Sequence, residues 1–431
     1  MKLLLPMIVY TVTIAVNAHA QGGFLKKMAN RAEQAATNKA GNAVEKGVND
    51  ASDKVLNAGK PAAGAASAPT ASTPAAAPAP APASRVEAYS KFDFVAGDQL
   101  LLSDDFSQDV VGEFAMHWNT NNKGEVVSMK DGTKWLKLFQ QGVYLTPNKQ
   151  VLPADHTIEF DMILDMHNTG YMYPEVFFTL FNSGEDAPQS NSVFKNMHGY
   201  NDIGIQLALG ESNNTRTVLR THAKGAETFR TNVQQLKLLE ENYGKPFHVA
   251  ISVQKTRFRM WINEQKVYDM PRIVESTFNQ LAVSVSGSNY KEDQLGFYLS
   301  NLKIAGGSPD VRSKLLTEGK FSTTGITFDV NSDVIRPSSF GVIKEIGTAL
   351  QSDVSFKVKI TGHTDSDGSK AVNDALSLKR ATAVKAMLTD TYKIAAERIS
   401  VDGKGAAVPV AENTTPEGKA KNRRVEFEKE K

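Results

Sequence analysis

Apolar and polar residues alternate along several short stretches between residues 86 and 306. The alternation is clearest in five of them: His156–Leu164, Phe247–Val253, Arg257–Ile262, Leu281–Val285 and Phe297–Ile304. In the first, Ile158, Phe160 and Met162 share one face, because successive strand side chains point to opposite sides. Clusters of turn-forming residues separate the stretches. This pattern of many short strands predicts an all-β sandwich for residues 86–306.

After residue 312 the pattern changes to strands that alternate with helices. Val342, Ile343, Ile346 and Leu350 have helical spacing, and a second helix is predicted from about Val372. Strands are predicted at Ile326–Phe328, Val354–Ile360, Ile399–Asp402 and Val425–Phe427. Two helices against a small mixed sheet predict an α+β two-layer sandwich for residues 312–431.

The first 85 residues predict three segments without a core of their own. Residues 1–20 combine Lys2, an apolar run and a small-residue ending at Ala18-His19-Ala20, which is typical of a secretory signal peptide. Residues 21–57 have weakly amphipathic helical spacing. Residues 58–85 are rich in alanine and proline, which predicts a disordered, extended linker.

Composition narrows the function classes. The 431 residues include no cysteine, which excludes disulfides, thiolate metal sites, a cysteine nucleophile and a lipid-modified N-terminal cysteine. The 49 basic and 47 acidic residues give a formal charge of +2. A nucleic-acid-binding domain usually carries a basic excess, so we expect no nucleic-acid partner.

The paired runs Phe247–Val253 and Phe258–Val267 are followed by a closing run at Gly296–Ile304. In this order, residues 100–305 resemble laminin-G/concanavalin A-like jelly rolls. The resemblance implies a surface that binds a glycan or a protein. An outer-membrane β-barrel with a periplasmic anchor is the alternative for this region, although charges such as Lys255 and Arg257 crowd around one strand.

An ordered set of short motifs occupies the C-terminal region. Ile360–Gly368 (ITGHTDSDG) ends a strand and enters a turn, and Arg380 follows Asp365 by fifteen residues. Phe328–Ser332 precedes these motifs, and Asn422-Arg423-Arg424 follows them. In this order they resemble the OmpA-like C-terminal domain, a peptidoglycan-binding module of bacterial envelope proteins, over residues 325–429. The resemblance implies a cell-wall-associated protein of the Gram-negative periplasm, with a place at the outer membrane left open.

The implied ligand is the diaminopimelate of the peptidoglycan stem peptide, which carries an ammonium and a carboxylate on one carbon. Such a zwitterion requires one fixed anion and one fixed cation, and an arginine fork can bind a carboxylate in a bidentate manner. The resemblance implies that Asp365 takes the ammonium and Arg380 the carboxylate. Other positions match residues that line the family's pocket: Asn331, Thr364, Asn373, Leu376 and Arg423.

Signals for catalysis are weak in this sequence. There is no HExxH spacing and no P-loop, so we predict no enzyme activity, no metal and no cofactor. Glu159 and Asp161 share one strand face, with Asp165 beyond them, which leaves a wall-tethered glycan hydrolase or lectin as the alternative. A solvent-facing sheet surface explains the two acids equally well. Tyr171, Tyr173 and Tyr200 are candidates for stacking on sugars.

Overall fold

The computed structural model describes residues 92–430, apart from 196 and 198. The predicted signal peptide (1–20), helical segment (21–57) and Ala/Pro linker (58–85) lie outside the described residues. Within the described part of the chain, no helix is both long enough and apolar enough to cross a membrane.

The described chain up to residue 306 consists of strands with two short helices. In chain order the strands are β1 (Gln99–Asp104), β2 (Asn119–Thr120), β3 (Gly124–Ser128), β4 (Lys134–Leu138), β5 (Gly142–Leu145), β6 (Asp155–Asp165), β7 (Val176–Asn182), β8 (Asn201–Ala208), β9 (Arg216–Ala223), β10 (Ala226–Arg230), β11 (Gln234–Gln235), β12 (Pro246–Gln254), β13 (Arg257–Ile262), β14 (Gln265–Met270), β15 (Gln280–Val285) and β16 (Gly296–Gly306). The short helices are α1 (Ser192–Lys195) and α2 (Lys237–Glu240).

These strands form two eight-stranded antiparallel sheets. The first has the order β14-β13-β12-β6-β16-β4-β3, with β1 also paired to β16. The second has the order β10-β9-β8-β7-β15-β5-β2, with β11 also paired to β9. Phe160 of β6 meets Phe178 of β7 edge to face between the sheets, with ring centroids 5.0 Å apart. The predicted all-β sandwich is confirmed, and the narrower jelly-roll resemblance stays a prediction.

Strand β6 shows how the sequence pattern builds this sandwich. Its residues Ile158, Phe160 and Met162 are fully buried in the core between the sheets. Burying a side chain of this size contributes roughly 2 kcal/mol. The alternate residues Glu159 and Asp161 lie on the outer face, yet each is only 7% exposed. They are covered because the outer face of this sheet faces the C-terminal part of the chain.

The C-terminal part has helices on a four-stranded sheet. Its elements are α3 (Val311–Leu316), β17 (Lys320–Thr323), a 3₁₀ turn (Pro337–Ser339), α4 (Phe340–Ser352), β18 (Lys357–Gly362), α5 (Lys370–Asp390), a 3₁₀ turn (Ala396–Arg398), β19 (Ile399–Gly403), α6 (Pro416–Asn422) and β20 (Val425–Glu430). The strand order is β17-β20-β18-β19, in which β18 and β19 are parallel. The predicted α+β sandwich is confirmed, and it belongs to the same compact unit as the β-sandwich.

The strand predicted at Ile326–Phe328 is wrong. The edge strand of the sheet is β17, and residues 325–327 have no strand partner. The Thr327 amide donates to Ser339 Oγ at 2.8 Å instead of to a neighbouring strand, and Phe328 forms an isolated bridge with Ile335. Local hydrogen bonds to the serine therefore satisfy this backbone and shape a loop.

A short segment before β1 joins the two halves of this unit. Phe94 is almost fully buried, and its ring lies 5.4 Å from the Trp261 ring on the outer face of the first sheet. Asp93 accepts hydrogen bonds from Trp261 Nε1 at 3.2 Å and from Lys266 Nζ at 2.9 Å. On its other side the Phe94 backbone touches Gly341 of α4. The segment therefore packs between the sandwich and the C-terminal helix.

We expect Gly341→Ala to lower the free energy of unfolding by about 1–3 kcal/mol, as overpacking typically does. A β-carbon at Gly341 would lie 1.6 Å from the Phe94 carbonyl oxygen, so the segment must move. Denaturant unfolding of the chain lacking residues 1–20 measures the effect. Gly204→Ala is the control, because its nearest neighbours lie 3.8 Å from the added carbon. Equal stability of Gly341→Ala and the wild type would contradict the proposed packing.

Candidate functional site

A cavity of about 360 Å³ lies where the outer face of the first sheet meets the C-terminal part of the chain. Both parts contribute to its walls. All seven residues predicted as ligand-binding line this one cavity: Asn331, Thr364, Asp365, Asn373, Leu376, Arg380 and Arg423. The structure thus brings the predicted residues together, although they come from four separate stretches of the chain.

Close backbone packing places the Asp365 loop beside helix α5. A β-carbon at Gly362, the last residue of β18, would lie 2.2 Å from the Ser377 carbonyl oxygen. A β-carbon at Gly403, at the end of β19, would lie 2.4 Å from the Leu378 amide nitrogen. Only glycine permits such an approach without a shift of the helix. The loop after β18 therefore begins directly against the helix that carries Arg380.

Asp365 is held by hydrogen bonds on both carboxylate oxygens. Arg423 Nη1 donates to Oδ2 at 2.7 Å, and the Asp367 amide donates to Oδ1 at 3.1 Å. Asn373 stabilises the loop itself, because its Nδ2 donates to the carbonyl oxygens of Asp365 and Asp367 at 3.4 and 2.9 Å. Since a carboxylate has about four lone-pair sites, Asp365 retains capacity for a further donor.

Arg380 has no carboxylate partner among the described residues. Its Nε donates to the Ser332 carbonyl oxygen at 2.9 Å, and its guanidinium lies over the Phe328 ring at 5.0 Å. Burial lowers the pKa of Arg380, and Asp365 opposes this effect. The ring and the carbonyl fix the guanidinium while leaving its other donors for a ligand. Such an arrangement suits bidentate binding of a carboxylate.

The other predicted residues complete the walls around this pair. Asn331 has a φ of 54°, a left-handed conformation that turns the loop between Phe328 and Ile335. Thr364 is buried, and its Oγ1 has no hydrogen-bond partner among the described residues. Leu376 is half-buried on α5. Leu376 thus adds an apolar side chain to the cavity walls, and Asn331 and Thr364 add polar ones.

The sandwich supplies a wall that sequence reasoning missed. Asp105, Glu159, Asp161, His248, Asn301 and Lys303 all line the cavity. Asp105 Oδ2 lies 3.6 Å from Arg423 Nη2, so this arginine connects the sandwich to Asp365. A signal was present in the sequence, since charged residues alternate with apolar ones along β6. This alternation did not reveal that the C-terminal part of the chain covers the charged face of β6.

Three side chains of this wall form a charged cluster. His248 Nδ1 lies 2.7 Å from Asp161 Oδ1, and its Nε2 lies 3.3 Å from Glu159 Oε2. Arg336, from the C-terminal part, donates to Asp161 Oδ2 at 3.1 Å. Burial opposes protonation of His248, but its hydrogen bond to Asp161 and its ion pair with Glu159 raise its pKa to about 9. The two acids considered for glycan hydrolysis are thus held in ion pairs.

The raised pKa of His248 predicts a loss of stability at alkaline pH. Its contribution is complete below the ordinary value of 6.5, declines between 6.5 and 9, and disappears above 9. We expect the free energy of unfolding to fall by on the order of 2 kcal/mol over that interval. Denaturant unfolding at pH 6, 7.5 and 9.5 measures the decline. His248→Gln and Asp161→Asn should both flatten it, and an unchanged slope in both variants would contradict the assignment.

Comparison with known proteins identifies the C-terminal part. Residues 327–423 match the OmpA family. The chain is 38% identical to outer membrane porin F of Pseudomonas aeruginosa over 105 residues, which are 24% of this chain and 30% of the porin. It is 36% identical to the peptidoglycan-binding protein ArfA of Mycobacterium tuberculosis over 102 residues, which are 24% of this chain and 31% of that protein.

A search of solved structures also gave a match. The cell wall anchor of the T6SS from Pseudomonas aeruginosa is 26% identical, with a TM-score of 0.23, and covers 27% of this chain and 91% of its own. The chain spans about a third of the length of the two curated relatives named above. The match to the OmpA family covers only the C-terminal part of the chain, and the β-sandwich lies outside the matched segment.

The tyrosines considered for sugar stacking are mostly enclosed. Tyr173 is buried and stacks on Tyr290 with ring centroids 5.3 Å apart, and Tyr200 is buried against Phe181. Tyr171 alone of the three candidates is exposed, at 53%. The predicted aromatic surface is thus reduced to one ring.

Proposed function

We propose that this chain binds peptidoglycan non-covalently through its OmpA-like domain. Asp365 accepts the ammonium of the stem-peptide diaminopimelate, and Arg380 binds the carboxylate on the same carbon. Asn331, Thr364, Asn373, Leu376 and Arg423 shape the pocket around that group. The protein acts without catalysis in the periplasm of a Gram-negative cell, in association with the wall.

One observation carries this proposal. Asp365 and Arg380 line one cavity, and the arginine has no carboxylate partner among the described residues. A partly buried guanidinium without a counter-ion is costly, and a ligand carboxylate offsets that cost. The ammonium of the same ligand finds its partner in Asp365. The names of the relatives, an outer membrane porin and a peptidoglycan-binding protein, point to the same compartment and polymer.

The β-sandwich has a less defined role in this proposal. A glycan or an envelope protein remains its candidate partner, and Tyr171 is the exposed aromatic side chain that such a partner would meet. We favour a non-catalytic role because Glu159 and Asp161 are both engaged by His248, whereas glycoside hydrolysis needs carboxyl groups free to reach a sugar.

A comparison of cell walls with diaminopimelate or lysine at the third position of the stem peptide tests the proposal. Stem peptides with lysine at the third position lack the side-chain carboxylate that diaminopimelate carries next to its ammonium. We expect the chain lacking residues 1–20 to co-sediment with diaminopimelate-type sacculi and to bind lysine-type sacculi at least about tenfold more weakly, since a charge-assisted bond is lost. Equal binding to both walls would rule out recognition of the zwitterion.

A further inference from the structure

Two cations that line the cavity contact no carboxylate among the described residues. One is Arg380 on the OmpA-like domain, and the other is Lys303 on strand β16 of the sandwich. The acids of the cavity, by contrast, all have cationic partners. Glu159 and Asp161 contact His248, Asp105 and Asp365 contact Arg423, Asp329 contacts Arg336, and Asp367 contacts Lys419.

Lys303 is positioned to act on a ligand. It is partly buried, and no hydrogen bond or ion pair joins its ammonium to another described residue. Burial lowers the pKa of Lys303, and the nearby charge of Arg423 lowers it further, although Glu159 opposes both. A desolvated ammonium of this kind is stabilised when an anion enters the cavity beside it.

Strand β16 has a bulge directly before Lys303. The register between β16 and β6 shifts between Ser300 and Lys303, and Asn301 within the bulge has a φ of 56°. Asn301 Nδ2 donates to Asp161 Oδ2 at 2.8 Å, which fixes the bulge against β6. Bulges re-aim side chains at functional edges. Here the bulge places an amide and an ammonium of the sandwich on one wall of the cavity.

We propose that the ligand site is shared between the two domains, and that Lys303 binds a second carboxylate of an acidic peptide whose zwitterionic end is held by Asp365 and Arg380. This inference rests on the proposed function, because it assigns the part of the same ligand that extends beyond the zwitterion. A stem peptide offers two such groups, the α-carboxylate of its D-glutamate and its C-terminal carboxylate. The sandwich is then a specificity element for the stem peptide.

Peptides that differ in one amide test the assignment. The probe is L-Ala-γ-D-Glu-diaminopimelate, compared with one form amidated at the D-glutamate carboxylate and one amidated at the C-terminus. Calorimetric titration of the wild-type chain lacking residues 1–20 should show roughly tenfold weaker binding of one amidated form, as loss of a charge-assisted bond predicts. The form affected identifies which carboxylate Lys303 takes.

Protein variants show whether Lys303 is the side chain that contacts the amidated carboxylate. Lys303→Gln should bind the unmodified peptide roughly tenfold more weakly than the wild type, and the sensitive amidation should then cost nothing further. Lys357→Gln removes the same charge from an exposed position on β18 and should bind like the wild type. The amidated peptides act on the wild-type protein, so this arm holds even where Lys303→Gln folds poorly.

The outcomes separate the two proposals. Unchanged binding of both amidated forms by the wild type, or an equal cost of amidation in Lys303→Gln, overturns the shared site and leaves the zwitterion pocket standing. Asp365→Ala is the reference for the pocket itself. If it binds the unmodified peptide as tightly as the wild type, the proposed function is wrong, and the role of Lys303 is overturned with it.

Discussion

Arg380→Ala should weaken binding to diaminopimelate-type sacculi by at least about 30-fold, equivalent to about 2 kcal/mol. The guanidinium is fixed by the Ser332 carbonyl oxygen and the Phe328 ring before any ligand arrives. Binding therefore does not have to order a flexible side chain, so most of the interaction appears as affinity. Retention of the chain lacking residues 1–20 on purified sacculi, titrated over protein concentration, measures the loss.

Two further variants show whether geometry or charge is responsible. Arg380→Lys keeps the charge but loses the planar fork, so it should recover only part of the affinity. Lys379→Ala removes a neighbouring cation from the exposed side of the same helix and should bind like the wild type. Full recovery in Arg380→Lys would mean that a point charge suffices. Equal losses in Arg380→Ala and Lys379→Ala would indicate a general effect of charge on attachment to the wall.

Local patterns predicted the two folds well. The alternation in β6 placed Ile158, Phe160 and Met162 on one face, and those residues are the core between the sheets. The apolar spacing of Val342, Ile343 and Ile346 likewise gave the buried face of α4. Both patterns follow from the side-chain repeat, which is two residues in a strand and about 3.6 residues in a helix. The Ile326–Phe328 prediction failed because Ser339, twelve residues away, takes the Thr327 amide that a strand would have paired.

The candidate site was only half predictable. The order of the motifs was enough to predict that Asp365, Arg380 and Arg423 line one cavity. These residues follow β18, lie on α5 and follow α6, and β18 pairs with the strand β20 that comes after α6. The sandwich wall depends on contact between residues far apart in sequence. Asp161 and Arg336 are separated by 175 positions, and no local pattern states that they meet.

Asp365→Asn should weaken binding to the same sacculi by at least about tenfold, because the amide cannot attract the ligand ammonium as a carboxylate does. Asparagine keeps the shape of the side chain and an acceptor oxygen for Arg423, and Arg423 also retains Asp105 at 3.6 Å. The fold should therefore survive the change. Asp390→Asn is the matched control, because Asp390 is exposed at the end of α5 and does not line the cavity.

The double variant Asp365→Asn/Arg380→Ala distinguishes a shared ligand from two separate contacts. If both side chains hold one carbon of the ligand, removal of either already frees that carbon from its fixed orientation. The second substitution then costs less than it does alone, so the combined loss falls short of the sum of the single losses. Strict additivity would mean that the two residues act on different groups of the wall. Asp367 also lines the cavity, so a tenfold loss in Asp367→Asn together with unchanged binding in Asp365→Asn would locate the ammonium contact two residues further along the loop.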